Sequence, residues 1–162
     1  MTNKELINMA IEARKNAISP TGYYVGAALE TTTGKVYTGC NLGTEDGIFN
    51  ICAERVAISK MLSEGEKSFT KIAVVGGPND KLIYTTPCGV CRQLILTFGK
   101  DIEVIMGYPD DNGEIEEKVI KCCLNVERRH NKKMINFLEG FWNNGELLED
   151  KVKKYLTEVG AM

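Results

Sequence analysis

The 162-residue sequence contains no apolar stretch long enough to span a bilayer, so it offers no candidate membrane helix. Its opening, Met1-Thr2-Asn3-Lys4-Glu5-Leu6, has no long apolar run behind a basic start, and no secretory signal is expected. A strong charge of either sign is also missing. At a net −2 there is no general attraction to polyanions, and no nucleic-acid partner is expected. Internal repeats and low-complexity linkers are absent as well. Six cysteines without a secretory signal point to metal or thiol chemistry in a reducing compartment, with the cytoplasm as default, more than to a disulfide framework.

What is present suits a globular domain: 43% hydrophobic residues in a chain long enough to bury a real core. Leu6, Ile7, Met9, Ala10, Ala13, Ala17 and Ile18 recur at helical spacing. Thr2 or Asn3 can cap that helix, and Pro20 and Gly22 mark its exit. Tyr23 to Leu29 and Lys35 to Cys40 read as strands joined by a turn at Thr31-Thr32-Thr33-Gly34. Asn41 to Asn50 reads as a loop. A helix is predicted from about Ile51 to Glu64, and a buried strand over Ile72 to Val75. Thr86-Pro87 predicts a helix start, with the helix ending at Gly99. Ile102 to Met106 and the more polar Glu114 to Ile120 complete the strands. This order predicts a three-layer α/β/α sandwich around a mixed sheet of about five strands. Past Cys122 a charged stretch, Glu127 to Lys133, precedes an apolar stripe from Met134 to Trp142 and a further amphipathic segment.

Two short stretches carry the chemistry: Cys52-Ala53-Glu54-Arg55 and Pro87-Cys88-Gly89-Val90-Cys91-Arg92-Gln93. Cys88 and Cys91 are three apart, so in the first turn of a helix they share a face, where free N–H groups favour thiolates. Cys52 also lies near a predicted helix start. Three thiolates can hold one Zn²⁺ and leave its fourth tetrahedral position open. Such a centre carries net −1, and Arg55, Arg92 and the helix dipoles are the available compensation. Arg55 is expected to hydrogen-bond a ligand thiolate. Glu54 can move protons, but residues i and i+2 of an ideal helix diverge. Cys52 and Glu54 therefore converge only if the helix begins within a residue or two of Cys52. Two other readings stay open. Cys88-Gly89-Val90-Cys91 resembles a redox dithiol, although that motif normally sits near a tryptophan and the only one here is Trp142. A closed structural zinc needs a fourth ligand, for which Cys40, Cys122, Cys123 and His130 are candidates.

These motifs resemble the zinc-dependent cytidine deaminases of the homotetrameric, three-cysteine kind, over roughly Ser19 to Met106. Tyr23 to Leu29 and Gly39-Cys40-Asn41 are similar to that family's first two strands. The resemblance implies a catalytic domain over residues 1–125; the segment 126–162 is longer than the family's usual tail, and its apolar stripe predicts a helical extension packed on that domain. It implies Cys52, Cys88 and Cys91 as zinc ligands and Glu54 as the catalytic group that passes protons to ring N3 and the leaving amine. It also implies base contacts from the backbone around Ala53, an aromatic contact from Tyr23 and a ribose contact from Asn41. The implied partners are a small nucleoside substrate and further copies of the chain, as a tetramer or dimer. One loop departs from the family pattern. Gly43 stands where a glutamate grips the ribose hydroxyls, and Gly47 where a tyrosine reaches a neighbouring subunit. Losing such a charged contact costs about 1.5–3 kcal/mol unless Glu45 or Asp46 replaces it. The rival expectations are a deaminase of a modified nucleoside, such as a blasticidin-S-like antibiotic, and an inactive zinc-stabilised interaction protein.

Overall fold

The computed structural model describes residues 1–121; the expectations for 126–162, and for Cys122, Cys123 and His130, lie outside the described residues. The described elements are α1 (Asn3–Arg14), β1 (Tyr23–Thr31), β2 (Val36–Cys40), α2 (Ala53–Ser63), β3 (Phe69–Pro78), α3 (Gly89–Phe98), β4 (Glu103–Pro109) and β5 (Ile115–Lys121). The strands form one mixed sheet in the order β2-β1-β3-β4-β5. Only β3 and β4 run parallel. That parallel pair needs a crossover, and α3 lies on it.

The expected three-layer sandwich follows from the period-two alternation of β1, β3 and β4. Ala27, Leu29, Ile72, Val74, Val104 and Met106 face α2 and α3, meeting Ala57, Ile58, Met61 and Ile95. Ala28, Ala73, Val75 and Ile105 face the other way, toward Leu6, Ile7 and Ala10 of α1. Central β3 is buried on both faces from Ile72 to Gly77, as its unbroken apolar run predicts. The β5 edge is exposed from Glu116 to Val119, with three charged residues there that guard it from further pairing.

Two helix boundaries correct the expectations. Thr2 caps α1 in a reciprocal capping box with Glu5, as its position suggests, but the helix stops at Arg14. Ala17 and Ile18 fall outside it; Ile18 instead makes a parallel bridge to Leu42, which bridges Ile51 in turn. The Asn41–Asn50 loop is thereby pinned at its base. The second correction concerns α3, which starts at Gly89 rather than Pro87. Thr86 does not cap it; the Thr86 hydroxyl accepts from Arg92 Nη2 at 3.0 Å.

Glycine permits α2 to lie almost on the sheet backbone. A Cβ at Gly39 of β2 would stand 2.4 Å from the Ala53 carbonyl oxygen and 2.6 Å from the Ala57 nitrogen. The first turn of α2 is seated by this contact, and that turn carries Glu54.

Candidate metal centre and its cleft

Cys52 and Cys88 occupy equivalent places: each is the N-cap of its helix, with extended backbone angles. Each cap carbonyl accepts the first intrahelical bond, from Val56 N at 3.2 Å and Arg92 N at 3.0 Å. Neither sulfur caps a backbone N–H of its own helix. The third residue of a helix folds back toward its cap, the geometry behind capping boxes. On α3 that residue is Cys91, and on α2 it is Arg55. The sequence therefore delivers two sulfurs from one helix and a sulfur with a guanidinium from the other.

The three sulfurs lie within 4.8 Å of one another, and Cys52 and Cys88 Sγ are 3.7 Å apart. No other histidine, cysteine or carboxylate among the described residues joins the group. Cys40 stays apart from it as a free thiol on β2. The expectation that both Cys88 and Cys91 sit in the first turn is corrected by one position, since Cys88 is the cap. Cys91 is fully buried and Cys88 is exposed. Arg55 Nη2 donates to the Asn50 carbonyl at 2.9 Å and reaches Cys52 Sγ at 4.0 Å.

Crowding splits the acidities of the thiols. Hydrogen bonding from Cys91, helped by Cys88 and Arg55, lowers Cys52 to about 5 against the opposing cost of burial. Cys91 is pushed far up by the same hydrogen bond, then by burial and the negative charges around it. Three soft donors held this close, one already favouring the thiolate, suit Zn²⁺.

Glu54 is only 3% exposed. Its helix starts one residue after Cys52, the condition under which the two side chains converge. Burial pushes the carboxyl up from 4.5 to about 7, and the charge on Cys52 adds to the shift. A hydrogen bond with Cys91 pulls partly the other way.

A cleft of about 500 Å³ opens over these groups. Ala53, Glu54 and Val74, all buried, form its floor beside Cys52 and Cys88, and Ser19, Thr21, Tyr23, Asn41, Gly43 and Thr44 line the rest. All eight residues singled out by sequence are thus accounted for: seven line the cleft or its sulfur cluster, and Arg55 backs Cys52.

The structure adds detail to two of them. Asn41 spends much of its amide on β1, with Oδ1 accepting from Val25 N at 2.7 Å and Nδ2 donating to the Tyr23 carbonyl at 3.2 Å. One Nδ2 proton is left for a ligand. Asp46 does not replace the carboxylate missing at Gly43. Its Oδ1 accepts from Thr44 Oγ1 at 2.6 Å and from Ile48 N at 3.1 Å, inside its own loop. Glu45 is exposed and lies off the cleft. Sequence reasoning missed Tyr84, Thr85, Thr86 and Asn50 in the wall. The signal for the threonines was their place directly before Pro87-Cys88; nothing in the sequence marked Tyr84.

Residues 1–107 match the model of the cytidine and deoxycytidylate deaminase zinc-binding region. The chain belongs to this family. Among curated proteins it is similar to a probable cytidine deaminase from Dictyostelium discoideum, 42% identical over 67% of this chain and 75% of that one. It is also similar to a blasticidin-S deaminase from Bacillus cereus, 30% identical over 72% and 85% of the two chains. Among solved structures, the cytidine deaminase from Burkholderia pseudomallei matches with a TM-score of 0.66 at 35% identity, covering 75% of this chain and 94% of that one. The family membership and the sulfur cluster together make zinc the metal of this fold.

Proposed function

We propose that the protein is an aminohydrolase that converts cytidine or deoxycytidine to the uracil nucleoside with release of ammonia. The observation that carries this reading is a three-sulfur cluster with no fourth side chain among the described residues, beside a buried carboxyl in the floor of a nucleoside-sized cleft. Cys52, Cys88 and Cys91 hold the metal. Zinc, when bound, supplies the Lewis-acid chemistry that makes water nucleophilic at neutral pH.

The chain's own residues do the rest. Glu54 takes a proton from the attacking water and delivers protons to ring N3 and to the departing amine. Burial prepares it for this, because a carboxyl near pH 7 both holds and releases a proton. The backbone at Ala53 orients the base, and Tyr23 packs its ring against the pyrimidine. Asn41 presents its remaining amide proton to the sugar. Arg55 steadies the charge on Cys52. No lysine or arginine is among the described residues lining the cleft, which favours a nucleoside over its phosphate ester.

A second reading has specific support. The Bacillus cereus relative is a blasticidin-S deaminase, and Gly43 leaves the sugar end of the cleft without a carboxylate at that position. A nucleoside with a modified sugar would tolerate that loss. We also infer a cytoplasmic, homo-oligomeric enzyme of pyrimidine salvage; no described helix is long and apolar enough to cross a membrane.

The deciding experiment compares wild type with Glu54→Gln for zinc content and for ammonia release from cytidine, deoxycytidine, cytosine and blasticidin S. The variant is expected to keep zinc and lose about 10²- to 10⁴-fold in kcat. Surviving turnover would remove Glu54 from its role. An interaction protein without activity would leave every compound unchanged.

A further inference from the structure

The wall of the cleft contains a short relay of hydroxyls, Tyr23 and Thr85, that ends on a backbone carbonyl. The Thr85 hydroxyl lies 3.1 Å from the Ile83 carbonyl oxygen, which can only accept, so Thr85 donates there. Tyr23 Oη lies 2.9 Å from the same Thr85 oxygen. Thr85 has one proton; committed to Ile83, it leaves Tyr23 as the donor in the Tyr23–Thr85 contact. In that arrangement the Tyr23 hydroxyl gives its own proton to Thr85 and faces a ligand as an acceptor alone.

The relay is anchored where it cannot easily turn. Thr85 is 8% exposed, and its side chain packs on Gly76 of β3, where an added Cβ would stand 3.0 Å from the Thr85 oxygen. Gly76 in turn bridges Ile83, the residue whose carbonyl ends the relay. Tyr23, by contrast, is 36% exposed and stands in the wall, while Glu54 is buried in the floor. A ring that presents its amine to Glu54 leaves its sugar at the other end, beside Tyr23, Ser19 and Gly43. Among the described residues, Glu54 is the one carboxylate lining the cleft.

We propose that Tyr23, held as an acceptor by Thr85, takes a hydrogen bond from a sugar hydroxyl of the nucleoside and so serves as a specificity determinant at the end of the cleft where Gly43 supplies no side chain. This rests on the nucleoside-deaminase reading above and deepens it. Tyr23 is then the residue that touches substrate, and Thr85 is a positioning residue acting through it.

The test uses the zinc-loaded full chain with cytidine and 2′,3′-dideoxycytidine, the second lacking the sugar-ring hydroxyls. Tyr23→Phe keeps the ring and removes the acceptor. It is expected to raise KM for cytidine roughly three- to tenfold with kcat little changed, and to leave dideoxycytidine unaffected. Thr85→Val releases the Tyr23 proton and is expected to give the same selective loss, while Thr85→Ser restores wild-type behaviour. Equal effects of Tyr23→Phe on both compounds, or no effect on either, would overturn the proposal while leaving deamination intact. If the wild type releases no ammonia at all, the deaminase reading fails. Dissociation constants of the same two compounds, measured by calorimetry across the same variants, then decide the hydroxyl relay by the same selectivity.

Discussion

Replacing Gly39 by alanine tests whether the close seating of α2 sets the geometry of the site. The new Cβ would lie 2.4 Å from the Ala53 carbonyl oxygen, 2.6 Å from the Ala57 nitrogen and 2.9 Å from Val56 Cβ. Two of these are backbone atoms in the first turns of α2 and cannot swing aside. Ordinary contact begins near 3.4 Å, so the helix must retreat by about 1 Å. Overpacking of this kind costs about 1–3 kcal/mol, which in a chain of this size lowers Tm by about 2–12 °C. The retreat also shifts Cys52 and Glu54 relative to Cys88 and Cys91, which ride on α3. A 1 Å misplacement of reacting groups costs about 10²-fold in rate. The control is Gly107→Ala on β4, whose Cβ meets Ile7 Cγ2 at 2.7 Å on the opposite, α1 face of the sheet. Both variants are assayed for thermal unfolding, zinc content and kcat on cytidine, well below either Tm. The expected outcome is that both lose stability and only Gly39→Ala loses rate. If Gly39→Ala keeps its rate within threefold, or Gly107→Ala loses as much, α2 does not set the catalytic geometry.

Three further outcomes follow from the same structure. Arg55→Gln should weaken zinc binding about 10- to 100-fold in competition with a chromogenic chelator, because Arg55 is the guanidinium held against Cys52. Ile72→Ala empties a fully buried position on central β3 and should cost about 2–5 kcal/mol in urea unfolding with little change in the m-value. Glu66 is lowered by its hydrogen bonds from Lys35 and then Thr33, so its folded pKa lies below the unfolded 4.5. Its contribution is therefore present above pH 4.5 and lost as the pH falls through the folded value. Glu66→Gln should be less stable than wild type at pH 7, and the gap should close in acid unfolding curves as the pH falls below 4.5 and through the folded value; a gap independent of pH would discard the ion-pair account.

The sequence announced the sulfur cluster because ligand spacing and helix starts are local properties. Cys52 had to be a helix edge for Glu54 to converge on it, and it is the N-cap. Where local rules failed, a tertiary partner had prevailed. Ala17 and Ile18 carry helical spacing, yet Ile18 leaves α1 to bridge Leu42. Thr86 has the residue type and place of a cap, yet its oxygen is taken by Arg92 from the next turn. The hydroxyl relay was invisible for a related reason. Tyr23 and Thr85 are 62 residues apart, and only the β1–β3 pairing with the Gly76–Ile83 bridge brings them together.

The placement of Cys52 and Cys88 at helix caps sets the protein's fold against its chemistry. Serine or aspartate at either position would start the helix better, by about 1 kcal/mol, since an oxygen there bonds the exposed amides that these sulfurs leave alone. A selection that rewarded sturdiness of the empty chain would drift toward oxygen and lose the ion. Engineering toward heat resistance should therefore keep the metal present at every round of screening, or it will improve the scaffold by dismantling the centre it supports.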